Sequence, residues 1–390
     1  MQIKVSSRTD NLNKNFEKLI ALKQQIKDRE AKGEKFIDFS IGDPKENIDT
    51  LAIRTIKENI EKRAGVGYPN FAGEPEYRKA CCEYMKKFHN TDLNWETEVC
   101  GTNGVKDAIA HFLLSFIDKG DLVICPTPNY PPYVSGTKDA GGELYFVELN
   151  EQNNYLIDLD AIPKEIAKKA KLIWINYPNS PLSISAPKWW LKKLVDWAEK
   201  YNVVIAADEG AYIDLYYKEK PYSIFEVKPS KEGIIAFYSL SKRNNMMSYR
   251  VGFVCGDERL IKAYKTIQQR RCSGTPVIIQ DSAIAVLKND DFVKKSIEKT
   301  REKKDLLINA LRSIGLEVLE PDTAFYLWIK APKNMDGEGL ADLFLKHNIV
   351  LTPGNRFGTN CDQYVRLAIS PVLEDVKKAC EIIKKLKIEN

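Results

Sequence analysis

The chain has 390 residues, 44% of them hydrophobic and 29% charged, enough to bury a sizeable core and to form one large and one small domain. Its 59 basic and 54 acidic residues leave a modest net charge of +5 spread along the chain, which argues against a nucleic-acid partner. No stretch is long and apolar enough to span a membrane, and the start, Met1 to Arg8, carries no apolar leader. Eight cysteines and three histidines (His89, His111, His347) fall at no metal-ligand spacing, so the expectation is a cytoplasmic protein with reduced thiols, no metal and no membrane contact.

In chain order, residues 11–32 place Leu12, Phe16, Leu19, Ile20, Leu22 and Ile26 on one helical face. Phe36 to Ile41 reads as a short strand broken by the turn signal Gly42-Asp43-Pro44. Tyr68 opens a short turn that ends at Gly73, ahead of a helix. Gly101 to Gly104 is a glycine-punctuated turn before an apolar-periodic helix, and the N–H groups of a helix start make a ready anion site. A strand over Asp121–Cys125 runs into a proline-rich segment, Pro126 to Tyr133, that forces a rigid loop around Tyr130. Leu172–Asn176 is another buried strand, followed by Tyr177-Pro-Asn-Ser-Pro181. The helix from Pro187 to Lys200 carries Trp189, Trp190, Leu191, Leu194, Val195 and Trp197 as a core stripe. Its lysines (Lys188, Lys192, Lys193), like Lys303 and Lys304, read as solvated faces.

Val203 to Glu209 is an apolar run that ends in two carboxylates, and a carboxylate there is costly unless a cation faces it. Ile234 to Tyr238 is a buried strand that stops at Ser239 and leaves Lys242 on a polar loop before the next strand, Val251–Cys255. A lysine in an apolar pocket loses part of its ammonium character and becomes a nucleophile toward carbonyls. A solvated lysine is the commoner alternative. Arg250 offers a planar fork suited to phosphate. From about Asp281 to Leu311 the pattern is helical, and strands over Leu316–Leu319 and Phe325–Ile329 then alternate with helices as a separate α+β unit. Arg366 lies inside an apolar strand, where an unpaired guanidinium would be costly and a structural ion pair would satisfy it. Strands alternating with helices over 95–255 give the α/β class with a mostly parallel sheet.

These segments, in this order, resemble the aminotransferases of fold type I, which use pyridoxal 5′-phosphate (PLP). The resemblance implies a large domain, 46–284, around a mostly parallel seven-stranded sheet, and a smaller α+β domain from 1–45 and 285–390. It implies that Lys242 bonds to the cofactor carbonyl and moves the substrate's α-proton. Ser239, Arg250 and the turn Gly104, Val105, Lys106 would hold the cofactor phosphate, Tyr130 would stack on its ring, and Asp208 would pair with its pyridine nitrogen. Ser180 and Tyr212 would face its 3′ oxygen, and Gly42 and Arg366 the substrate carboxylate. Tyr68 would reach the partner's phosphate in a homodimer.

Three positions depart from the family pattern. Ser180 stands where the family has Asn, and Ser248 stands for Gly. Tyr212 comes one residue late, although Gly210 could absorb an extra residue as a bulge. Weaker donors at the 3′ oxygen predict that the lysine–cofactor linkage keeps its proton to higher pH than is usual in the family. Asp107 to Phe112, Leu159 to Pro163 and Ile175 to Asn179 look most like the diaminopimelate group. That implies LL-diaminopimelate or its N-succinyl derivative with glutamate and 2-oxoglutarate, in lysine biosynthesis. An aspartate-type aminotransferase and a PLP-dependent β-lyase are the alternatives.

Overall fold

The computed structural model describes residues 3–4 and 14–388, the side chains of 14–19 excepted. Seven strands form the main sheet: β1 (Val99–Thr102), β2 (Leu122–Thr127), β3 (Glu143–Glu148), β4 (Ala170–Ile175), β5 (Val204–Gly210), β6 (Ile234–Ser239) and β7 (Gly252–Gly256). Their order across the sheet is β1-β7-β6-β5-β4-β2-β3. β7 runs antiparallel to β1 and β6, and all other pairs are parallel. The central strands read as unbroken apolar runs because helices cover both faces of the sheet. On one face Phe112 and Ile109 of the helix Val105–Phe116 pack on Trp174 and Phe237. On the other, Trp190, Leu194, Tyr84 and Tyr238 share a core. The edge strand β3 begins and ends in exposed glutamates, Glu143 and Glu148, which discourages further pairing.

A second core is built on a four-stranded antiparallel sheet in the order Thr352–Pro353, Tyr364–Ala368, Tyr326–Lys330, Glu317–Leu319. The helices Asp291–Ser313 and Leu373–Ile383 cover it through Leu307, Leu311, Val376 and Ile383. Ile37–Asp38 pairs in parallel with Ile349–Val350, and Phe39 joins this same core, so the segment near residue 37 packs with the C-terminal third. No helix among the described residues is long and apolar enough to cross a membrane. All eight cysteines are free thiols.

Several local expectations are corrected. The helix expected over Asp281–Leu311 is two, Val277–Leu287 and Asp291–Ser313. Between them the Asn289 side chain accepts from the Asp291 N–H at 2.8 Å, a local bond that competes with the helix ladder. Lys303 and Lys304 are buried, not solvated. Lys303 Nζ donates to the Pro371 carbonyl at 2.9 Å and faces Glu46 at 3.4 Å, while Lys304 pairs with Asp305 at 2.7 Å. Trp189 is 64% exposed and leaves the core stripe to its neighbours, and Pro187 stands just before its helix, Lys188–Tyr201. The helix Lys14–Glu30 occupies the first amphipathic segment, but Ile20 on it is exposed, and Leu12 and the side chains of Phe16 and Leu19 lie outside the described residues.

Candidate active site

Open parallel sheets bind ligands beyond the C-terminal ends of their strands. There β5 and β6 present Asp208 and Ser239, and Asn176 follows β4 directly. The Ser239 Oγ accepts from the Ser241 N–H at 3.1 Å and so caps a single helical turn, Leu240–Arg243, where a polar loop was expected. Arg243 is buried and donates to Asp214 at 2.7 Å, which pins one side of this turn and leaves the neighbouring Lys242 facing a cavity. Lys242 Nζ donates to the Gly42 carbonyl and forms no ion pair among the described residues. Burial pushes its pKa below that of an ordinary lysine, as a nucleophile or proton carrier near neutrality requires.

Asp208 is the last residue of β5 before a bulge. It pairs with Phe237 and Gly210 pairs with Tyr238, so Glu209 is the extra residue, where the sequence had suggested Gly210. Gly210 instead fills a crowded position, since a Cβ there would lie 2.2 Å from the Tyr238 ring. The bulge turns Glu209 into the protein, where it accepts from Ser223 Oγ at 2.5 Å and the Ile224 N–H at 3.0 Å. Asp208 and Tyr212 both remain on the cavity side. Asp208 Oδ2 accepts from Tyr133 Oη at 2.6 Å, and the Tyr133 ring is held by stacking on Trp174 at 4.4 Å. Oδ1 has no partner. Burial pushes the Asp208 pKa up to about 7; the Tyr133 bond opposes this and the Glu209 charge adds to it.

Two arginines, Arg250 and Arg366, also line the cavity. Gly104 takes a left-handed φ of +90° at the start of the helix Val105–Phe116, and a Cβ there would fall 2.4 Å from Arg250 Nη2. The Arg250 guanidinium therefore lies against the positive end of a helix dipole, an arrangement that an anion between them relieves. Arg366 lies on a third wall. Its Nη2 donates to the Ser40 carbonyl at 2.7 Å, and its guanidinium sits 4.4 Å from the Tyr326 ring centre and 4.5 Å from that of Phe357. Its Nε has no partner and no carboxylate pairs with it among the described residues. Burial pushes its pKa down. A partly dehydrated arginine without an acid favours a carboxylate from outside.

Residues 34–383 match the family described as Aminotransferase class I and II. This chain belongs to that family. Among curated proteins it is 40% identical over 370 residues to an LL-diaminopimelate aminotransferase of Aquifex aeolicus, covering 94% of this chain and 95% of that one. It is 37% identical over 361 residues to the LL-diaminopimelate aminotransferase of a Nitratidesulfovibrio vulgaris strain, covering 91% and 92%. The substrate-bound structure of BacF from Bacillus subtilis superposes with a TM-score of 0.93 at 29% identity, covering 100% of this chain and 99% of that one. The protein is an aminotransferase, and members of its family in general use PLP.

In this aminotransferase Gly42, Val105, Lys106, Tyr130, Ser180, Asp208, Tyr212, Ser239, Lys242, Arg250 and Arg366 line one cavity of about 420 Å³. A wider cleft of about 650 Å³ opens between the starts of the helices Thr50–Asn59 and Asp291–Ser313, and none of these candidate residues lines it. Gly104 packs against Arg250 without lining the cavity, and Tyr68 lies outside it with its side chain 92% exposed. Ser180 is buried, with its N–H given to Asn176 Oδ1 at 2.7 Å. Asn176 was not singled out from sequence, yet it lines the cavity and donates to the Asp208 carbonyl at 2.5 Å. Tyr133 and Tyr326 were also missed. Tyr133 closed the proline-rich segment and was legible only as a loop aromatic. Tyr326 opened an ordinary apolar strand and gave no signal.

Proposed function

We propose that the aminotransferase binds PLP in this cavity and exchanges the amino group of LL-diaminopimelate with 2-oxoglutarate, acting in the cytoplasm. The observation that carries the cofactor reading is the buried Asp208 carboxylate, its Oδ1 without a partner among the described residues, on the same cavity as Lys242, Arg250 and Arg366, which bond backbone carbonyls and form no ion pair among the described residues. A ring N–H⁺ satisfies that oxygen and restores the ionised acid that burial alone disfavours. The Gly104 turn and Arg250 fit a phosphate, and Ser239 and the backbone at Val105 and Lys106 lie at the same end. Tyr130, edge-on to Tyr133 at 5.7 Å, fits a ring face.

When bound, PLP supplies the carbonyl that takes up the amino group and the ring that spreads negative charge from the substrate Cα. The rest is done by this chain. Arg366 orients the substrate by its α-carboxylate in a bidentate grip, with Gly42 on the same cavity. Lys242 Nζ, with its basicity lowered by burial, takes the proton from Cα and returns it on the far side of the transfer. Ser180 and Tyr212 supply hydrogen bonds to the cofactor's 3′ oxygen. In this reading residues 46–284 carry the cofactor, and 1–45 with 285–390 carry Arg366 and close over the substrate. Two copies pair, each lending Tyr68 to the other's phosphate; the exposure of Tyr68 supports this.

The substrate rests on the relatives named above. Its test is the rate of glutamate formation from 2-oxoglutarate with LL-diaminopimelate, N-succinyl-LL-diaminopimelate and aspartate as competing donors. LL-diaminopimelate should lead aspartate by about 10²-fold or more in kcat/KM. A preference for either competitor, or release of ammonia and pyruvate in a β-elimination, contradicts the reading.

A further inference from the structure

Tyr326 opens the strand Tyr326–Lys330 and is nearly buried, yet its side chain reaches the cavity. Its hydroxyl lies 3.0 Å from that of Tyr212, with the rings edge to face at 77°. Neither hydroxyl bonds any other described residue. The Tyr326 oxygen also presses against Gly42, where a Cβ would fall 2.0 Å from it. Gly42 is the residue whose carbonyl holds Lys242 Nζ. The ring of Tyr326 lies under the Arg366 guanidinium at 4.4 Å. One phenol therefore touches the supports of the lysine, of the substrate arginine and of Tyr212.

Of two paired hydroxyls, one donates to the other and keeps its partner's proton free. A cation over an aromatic face draws electron density from that ring and makes its hydroxyl the stronger donor. Arg366 does this to Tyr326. A bond that runs from Tyr326 to Tyr212 leaves the Tyr212 proton free to point into the cavity. This matters because Ser180 has a short reach and leaves Tyr212 as the long donor on that side of the cavity.

We infer that Tyr326 is a positioning residue: its hydroxyl fixes the Tyr212 hydroxyl so that Tyr212 donates into the cavity toward the cofactor's 3′ oxygen, and its ring holds the plane of Arg366. The inference rests on the proposed function. A buried hydroxyl held by a single neighbour has few orientations, so the Tyr212 donor is set before the cofactor arrives and need not reorganise.

The test is a cycle of Tyr212→Phe, Tyr326→Phe and the double variant in the PLP-loaded protein, read by pH titration of the lysine–cofactor absorption without substrate. Tyr212→Phe removes a hydrogen bond to an oxyanion and raises the midpoint by about one pH unit. Tyr326→Phe leaves Tyr212 in place but unfixed and raises it by about half as much, and the double variant matches Tyr212→Phe because Tyr326 acts only through Tyr212. In steady state Tyr326→Phe lowers kcat about 3- to 10-fold with KM within about twofold. Tyr326→Leu, which also strips the ring from Arg366, raises KM for the amino donor about 10-fold. Midpoint shifts that add, or a Tyr326→Phe midpoint equal to wild type, overturn the inference. So does a Tyr326→Phe effect confined to the melting temperature of the cofactor-free protein, which marks a merely structural bond. A wild type that gives no lysine–cofactor absorption overturns the proposed function along with the inference, whereas a normal wild-type titration with additive shifts overturns the inference alone.

Discussion

Asp208 is expensive for the protein without its cofactor. An acid whose folded pKa stands near 7, above its unfolded value, holds a proton in the native state that the unfolded chain has already lost. Stability of the cofactor-free protein therefore falls as pH rises from the ordinary carboxylate range through about 7. Asp208→Asn keeps an acceptor for Tyr133 and removes the titration. It should stabilise the cofactor-free protein by roughly 2–4 kcal/mol above neutrality, with no gain at low pH, while abolishing transfer. Melting curves across pH check this, and a variant no more stable than wild type at pH 8 contradicts it. If Arg366 holds the carboxylate as proposed, Arg366→Ala should lower kcat/KM for the amino donor about 10²–10³-fold, chiefly through KM. Unchanged KM would place the carboxylate elsewhere. Lys242, Asp208 and Arg366 were legible because each charge sits in or just after an apolar run, where burial demands a reason. Asn176 and Tyr326 were not. Their roles lie in contacts across the fold, Asn176 to the Asp208 carbonyl and Tyr326 to Tyr212, and no local pattern encodes such pairs.

At the level of elements, the bulge in β5 turns Glu209 into the protein while Asp208 stays on the cavity side. Tyr212 lies beyond β5 in a turn, where its N–H donates to the Glu209 carbonyl at 3.4 Å, and this turn brings it to the cavity. Gly210→Ala should destabilise the protein by about 3 kcal/mol, since the new Cβ meets both the ring and the backbone of Tyr238. Its cofactor affinity should fall as well, because relief of that clash shifts Asp208 and Tyr212. A variant with normal stability and normal cofactor affinity would contradict the bulge as the device that sets the site. The helical turn at Lys242 was hidden in the sequence for a different reason. Four residues are too few to show a period, and the turn is held by the Ser239 cap, the Arg243–Asp214 pair and the Arg243 bond to the distant Val286 carbonyl.

For the whole molecule, the alternation of strands and helices was enough to give the class and the central sheet, because parallel strands covered on both faces must be apolar throughout. The burial of Lys303 was not readable, since it depends on the Pro371 carbonyl and Glu46, far away in the chain. Tyr68 carries a prediction at this scale. Tyr68→Ala and Lys242→Ala should each be inactive alone and regain activity when the two are mixed and allowed to exchange, since the mixed pair has one complete site. Failure of mixing to restore activity, or a monomer by light scattering, contradicts the paired arrangement.

The most direct test of the central claim is a single half-reaction. The purified protein is loaded with PLP, freed of excess, and given LL-diaminopimelate with no 2-oxo acid present. The absorption of the loaded protein should convert to that of the pyridoxamine form in step with the amino acid consumed, and 2-oxoglutarate should then reverse it. A protein that takes up PLP at Lys242 and never converts would contradict amino-group transfer at this cavity.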